Sequence, residues 1–188
     1  MTQNNLEPQL KEILKQYQGS FNEKSYRDDN DDRDVLMDVF GLTPDMKREN
    51  RQYWGRELGM CWQRLVTELF RITCDVFKPA LRLGADEPCD CIVGDDAIDT
   101  KYRIGSGDSG TLKKFKQYGK SFPELGYVPV LLIVREDNLP AAITACKSGG
   151  WVVHQGNSTF EYIKLKSEFD LYNWLLQMRD SREFFVTR

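Results

Sequence analysis

Apolar residues recur at helical spacing in two stretches of the N-terminal half. Leu6, Leu10, Ile13, Leu14 and Tyr17 share one face, which predicts an amphipathic helix at the periphery. From about Gln52 to Phe77, Trp54, Leu58, Trp62, Leu65, Leu69, Ile72 and Val76 form a longer stripe, which predicts a helix packed on a sheet. Between the two stripes, FNEKSYRDDNDDRD has almost no apolar residues and predicts a charged loop leading to a short helix around Val35 to Phe40. Thr43 followed by Pro44 is an N-cap and first-turn signature.

After Lys78 and Pro79 the period shortens. ALRLG, CDCIV, AIDTKYRI and VPVLLIV are β-prone, bounded by Gly, Pro or Asp, and predict four strands. TLKKFKQYG, between the third and fourth, predicts a short helix closed by Gly119. Leu139 to Ser148 predicts a helix, WVVHQ a short strand, and Thr159 to Lys166 and Phe169 to Met178 two more helices. The order from residue 52 to 134 is therefore αβββαβ. It predicts an α/β fold with a mixed sheet flanked by helices, an antiparallel meander first and a crossover helix before a buried VPVLLIV strand.

Length and composition place few further limits. The 188 residues suit one domain, and 40% hydrophobic and 12% aromatic content is ordinary for a globular protein. No apolar run approaches the roughly 20 residues that span a bilayer, and the N-terminus lacks the basic and apolar regions of a signal peptide, so a cytoplasmic protein without a membrane partner is expected. Cys61, Cys74, Cys89, Cys91 and Cys146 form no metal-binding spacing, and reduced thiols are expected. Cys89 and Cys91 flank Asp90, and strand alternation would turn both away from it as small buried side chains. The formal charge is −3, but it is unevenly spread. Residues 101 to 120 hold six basic side chains against one acid, and residues 21 to 34 hold six acids against three bases. The basic stretch can attract phosphate, although a solvated helix face explains its lysines as readily.

The densest chemistry lies in PCDCIVGDDAIDTKYRIGSGDSG, residues 88 to 110. With GDDA as the turn, Asp90 starts one strand, and Asp99 and Lys101 share a face of its antiparallel neighbour. Two carboxylates meeting at one sheet end repel unless a cation joins them. Magnesium takes one or two carboxylates, waters and phosphate oxygens, so Asp90 and Asp99 with a phosphodiester would make a coordination set. Lys101 would then face the attacking water, giving metal-assisted phosphodiester hydrolysis. The bland alternative is a polar hairpin tip.

Pro88-Cys89-Asp90, then Asp99-Thr100-Lys101 on the next strand, within that element order, resembles the PD-(D/E)xK nuclease superfamily. KYRIGSGDSGTLKKFKQYG is similar to type II restriction endonucleases, the ApaLI-type group among them. The resemblance covers residues 52 to 134, somewhat under half the chain, and implies a restriction-endonuclease-like core with extra N- and C-terminal helices. It implies that Asp90 and Asp99 bind Mg²⁺, with Mn²⁺ able to substitute, that the Thr100 carbonyl adds a ligand, and that Lys101 serves the nucleophilic water. It also implies a glutamate from the preceding helix, for which Glu57 and Glu68 are candidates; Glu57, in GRELG, is preferred because its flanking glycines permit close approach.

The glycines of the following loop would let a backbone approach double-stranded DNA, with Arg103, Ser106, Ser109, Thr111, Lys113 and Lys114 in contact with it. A site-specific enzyme without a separate recognition domain would act as a homodimer on a short palindrome. Residues 139 to 188 would supply recognition or dimer contacts, with Lys147, Trp151, His154, Gln155 and Asn157 as candidates. Two alternatives remain: a structure-selective repair or junction-resolving nuclease with the same core, and a non-catalytic DNA-binding module.

Overall fold

The structure of the protein, a computed structural model, describes residues 6–22, 33–84, 86–105 and 109–187, apart from the side chains of residues 109 and 111. The elements run α1 (Leu6–Asn22), α2 (Val35–Val39), α3 (Pro44–Arg48), α4 (Arg51–Thr73), β1 (Phe77–Pro79), β2 (Cys91–Val93), β3 (Asp96–Lys101), α5 (Ser109–Glu124), β4 (Val128–Ile133), α6 (Pro140–Ser148), β5 (Val152–Gln155), α7 (Asn157–Ser167) and α8 (Leu171–Ser181). The five strands form one open mixed sheet in the order β1-β2-β3-β4-β5. β1, β2 and β3 pair antiparallel, and β3, β4 and β5 pair parallel.

Local chemistry sets several boundaries. Thr43 accepts a hydrogen bond from the Met46 amide with Pro44 in the first turn, as the sequence predicts. Asn50 caps α4 by accepting from the Tyr53 amide at 2.9 Å. β3 and β4 carry apolar side chains toward both faces. Ile98, Val130 and Leu132 join the core beneath α4, where Trp54 and Trp62 are fully buried. Ala97, Leu131 and Ile133 join a second core beneath α5 and α6. Such two-sided burial is why VPVLLIV reads as an unbroken apolar run. No described helix is long and apolar enough to cross a membrane, and none of the five cysteines forms a disulfide.

Four expectations need correction. ALRLG is not a strand of the sheet: only an isolated bridge joins Leu83 to Asp86, and the first strand is Phe77–Pro79. α4 ends at Thr73, four residues early, because Lys78 precedes a proline and is held extended, and Phe77 pairs with Val93 instead of continuing the helix. Pro79, which has no amide to donate, is tolerated because β1 is an edge strand. Gly119 does not close α5, which continues to Glu124. A Cβ at Gly119 would stand 2.4 Å from the Gly149 carbonyl oxygen and 2.7 Å from the Trp151 ring, so the glycine serves close helix packing. Cys89 and Cys91 are both buried, as expected, but in different cores, because Asp90 lies in a bend ahead of β2 where strand alternation does not hold.

Candidate active site

β3 delivers Asp99 and Lys101 to the same face as Ala97, the face covered by α5 and α6. The Lys101 ammonium donates to Asp99 Oδ1 at 2.7 Å and to the Thr100 carbonyl oxygen at 3.0 Å. Two oxygens thus converge on one positive centre at the end of a buried strand. Asp99 is only 8% exposed. Burial pushes its carboxyl up to about 6; Lys101 opposes this shift and the nearby Asp90 charge adds to it. Burial acts to lower Lys101, but the charges of Asp99 and Asp90 outweigh it and leave the ammonium raised. The pair faces a cavity of about 180 Å³ that is also lined by Glu87, Lys114, Tyr118 and Trp151.

Asp90 lies at the same end of the sheet, with its carboxylate toward α4. Oδ2 accepts from the Thr100 amide at 2.7 Å and the Thr100 hydroxyl at 2.6 Å, taking the place a strand partner would occupy. Oδ1 accepts from the Gln63 side-chain amide at 2.6 Å. Asp90 lines a groove between α1 and α4, a different opening from the Asp99 cavity. Asp99 and Lys101 are therefore brought together, and Asp90 is held beside them on the other side of β3.

The donors at this end of the sheet are two carboxylates and a carbonyl, all hard oxygens of the kind Mg²⁺ takes, but the two carboxylates face different openings, on either side of β3. Among the described residues no three or more acidic, histidine or cysteine side chains gather closely enough to hold a metal by themselves.

Glu57 is buried on α4 and accepts from its neighbour Arg56 at 2.9 Å, lining neither opening. Glu68, paired with Arg71 at 2.6 Å, lines the groove that holds Asp90. The α4 residue that touches Asp90 is Gln63, which a search restricted to acids passes over. Its signal was a polar position on the flank of the apolar stripe, between the two glutamates.

Among the DNA-contact candidates, Arg103 is exposed and donates to the Asp137 carboxylate at 2.8 Å. Lys113 and Lys114 are exposed on α5, with Lys114 at 3.5 Å from Asp86. Ser106 lies outside the described residues, as do the side chains of Ser109 and Thr111, whose backbones belong to the first turn of α5. In the C-terminal part, Trp151 is a core residue whose indole donates to the Phe115 carbonyl at 2.8 Å. His154 packs on the Tyr162 ring, and burial lowers its imidazole pKa. The Gln155 side chain accepts from Asn138 at 3.0 Å. Lys147 is exposed on α6, and Asn157 lines a separate cavity.

A further charged cluster lies where the chain leaves β3 and β4. Arg135 donates to Asp34 at 3.1 Å and to Asp137 at 2.6 Å, and the Tyr102 hydroxyl donates to Asp34. Lys47, from the short α3, is buried beside Tyr102. No spacing rule links these residues, which come from four separate segments. Comparison with protein-family models, curated proteins and solved structures found no match.

Proposed function

We propose that the protein is a Mg²⁺-dependent endonuclease that hydrolyses phosphodiester bonds in double-stranded DNA. The observation that carries the reading is the meeting of Asp99, the Thr100 carbonyl and Lys101 within 3.0 Å at the end of β3, with Asp90 fastened to the Thr100 amide beside them. The Asp90 charge adds to the burial that raises the Asp99 carboxyl, a cost that a bound cation would remove. The α4-β1-β2-β3-α5-β4 order is compatible with the PD-(D/E)xK core that the motif resembles.

In this reading Asp90, Asp99 and the Thr100 carbonyl would hold Mg²⁺, and the ion would supply Lewis-acid polarisation of the phosphoryl group. Gln63 and Thr100 fix the orientation of Asp90. Lys101 donates a hydrogen bond to the attacking water and keeps a positive charge beside the phosphate as its negative charge grows. Lys114, which lines the same cavity, attracts the scissile strand. The finer proposal is a type II restriction enzyme that acts as a homodimer on a short palindrome, each subunit cutting one strand.

Digestion of a randomised plasmid library with Mg²⁺ or with EDTA, followed by sequencing of the fragment ends, tests the proposal. Mg²⁺-dependent ends that share one short symmetric sequence support a restriction enzyme. Ends confined to branched substrates favour the junction-resolving alternative, and intact DNA under both conditions counts against hydrolysis.

A further inference from the structure

Another opening lies on the α4 side of β3, past the strand's end. It is a cavity of about 460 Å³ lined by Lys47, Arg51, Gly55, Tyr102, Arg103 and Gly105. Every charged side chain among these residues is a cation. Lys47 is only 4% exposed, and its ammonium has two weak partners, the Tyr102 hydroxyl at 3.5 Å and the Met37 sulfur at 3.6 Å. Among the described residues no carboxylate lies within ion-pair distance of it. Arg51 is exposed, and among the described residues no hydrogen bond or ion pair engages its guanidinium.

The remaining lining residues keep the cavity open. Arg103 is tethered to Asp137 through Nε, and its Nη1 lies 2.7 Å from the point a Gly105 Cβ would occupy, so the guanidinium lies close over that backbone. Gly55 sits inside α4, where glycine is disfavoured, yet a Cβ there would meet nothing within 4 Å. Packing therefore does not explain its presence, whereas access by a ligand would.

We infer that this cavity binds the phosphoryl group of a phosphate ester, with Lys47, Arg51 and Arg103 as its donors. A buried ammonium with no carboxylate at ion-pair distance is costly to keep charged, and an oxyanion accepting charge-assisted hydrogen bonds removes that cost. Burial draws Lys47 down to about 8, with Arg135 and Arg103 adding to the shift and Asp34 and Asp137 opposing it, so the amine is still mostly protonated at pH 7. Binding here needs neither metal nor hydrolysis, so this inference and the nuclease reading stand or fall separately.

Calorimetric titration of the full chain with inorganic phosphate, at pH 7 and constant ionic strength, tests it. Saturable binding is expected. Arg51→Ala and Lys47→Met should each weaken it by about tenfold or more, the loss of one charge-assisted contact. Lys15→Ala, exposed on α1, should leave it unchanged. Binding that does not saturate, or that survives Arg51→Ala intact, overturns the site. Because Arg51 is exposed, that variant decides the matter even if Lys47→Met fails to fold. Competition by a short DNA duplex would identify the phosphate as that of a nucleic-acid backbone, and undiminished phosphate binding in saturating duplex would identify a small phosphate ester.

Discussion

At the scale of single residues, the titrating groups give the sharpest expectations. Burial lowers the Lys47 ammonium from the ordinary lysine value of 10.5 to about 8 in the folded protein. Below pH 8 both states hold the proton, and the folded protein bears the cost of a buried charge. Between 8 and about 10.5 the unfolded chain binds more protons than the folded one, so stability rises with pH across that window. Lys47→Met should therefore raise stability at pH 7 by about 1–3 kcal/mol, and the advantage should shrink as the pH approaches 10. Urea unfolding at several pH values measures this; a variant less stable than the parent at pH 7 would mean the ammonium is already well compensated. The pairing of Asp99 with Lys101 was legible because strand alternation puts i and i+2 on one face. The Gln63 contact and the burial of Lys47 were not, since both depend on how α3 and α4 dock, which no local pattern encodes.

At the scale of elements, α5 combines a tight contact on one side with a charged face on the other. Gly119→Ala would gain about 1 kcal/mol of helix propensity. The added methyl group would also meet the Gly149 carbonyl oxygen and the Trp151 ring at under 3 Å, which should cost more than it gains. A net loss of about 1–3 kcal/mol in urea unfolding is expected, and an unchanged midpoint would show that the α5–α6 contact relaxes freely. On the exposed face, Lys113→Ala and Lys114→Ala should each weaken DNA binding and reduce the slope of log affinity against log salt by about one. An unchanged slope would remove this face from the DNA contact. Element types followed from apolar periodicity nearly throughout, whereas the edges did not. ALRLG has strand composition but no place in the ladder, because Phe77 to Pro79 already fills the position beside β2. Gly119 looks like a terminator in sequence and proves to be a packing contact.

At the scale of the whole molecule, the parallel run of β3, β4 and β5 brings three carboxyl ends to one side, the usual place for ligands in open α/β sheets. Lys101, Tyr102, Arg103, Arg135 and Gln155 all lie at or just beyond those ends. Three of these are cations, and each is paired with an aspartate: Lys101 with Asp99, and Arg103 and Arg135 with Asp137. The antiparallel meander, the crossover helix and the buried fourth strand could be anticipated from the αβββαβ order of elements; the division of the core in two and of the acidic residues between two faces of β3 could not, the latter because a bend at Asp90 decides it.

The most direct measurement is the single-turnover rate of duplex cleavage by the protein and by Asp99→Asn and Lys101→Met, each in Mg²⁺ and in EDTA, with unfolding checked alongside. Cleavage that requires Mg²⁺ and falls by at least about 100-fold in both folded variants is the predicted result. Cleavage at the parent rate by folded Asp99→Asn, or undiminished cleavage in EDTA, would contradict it.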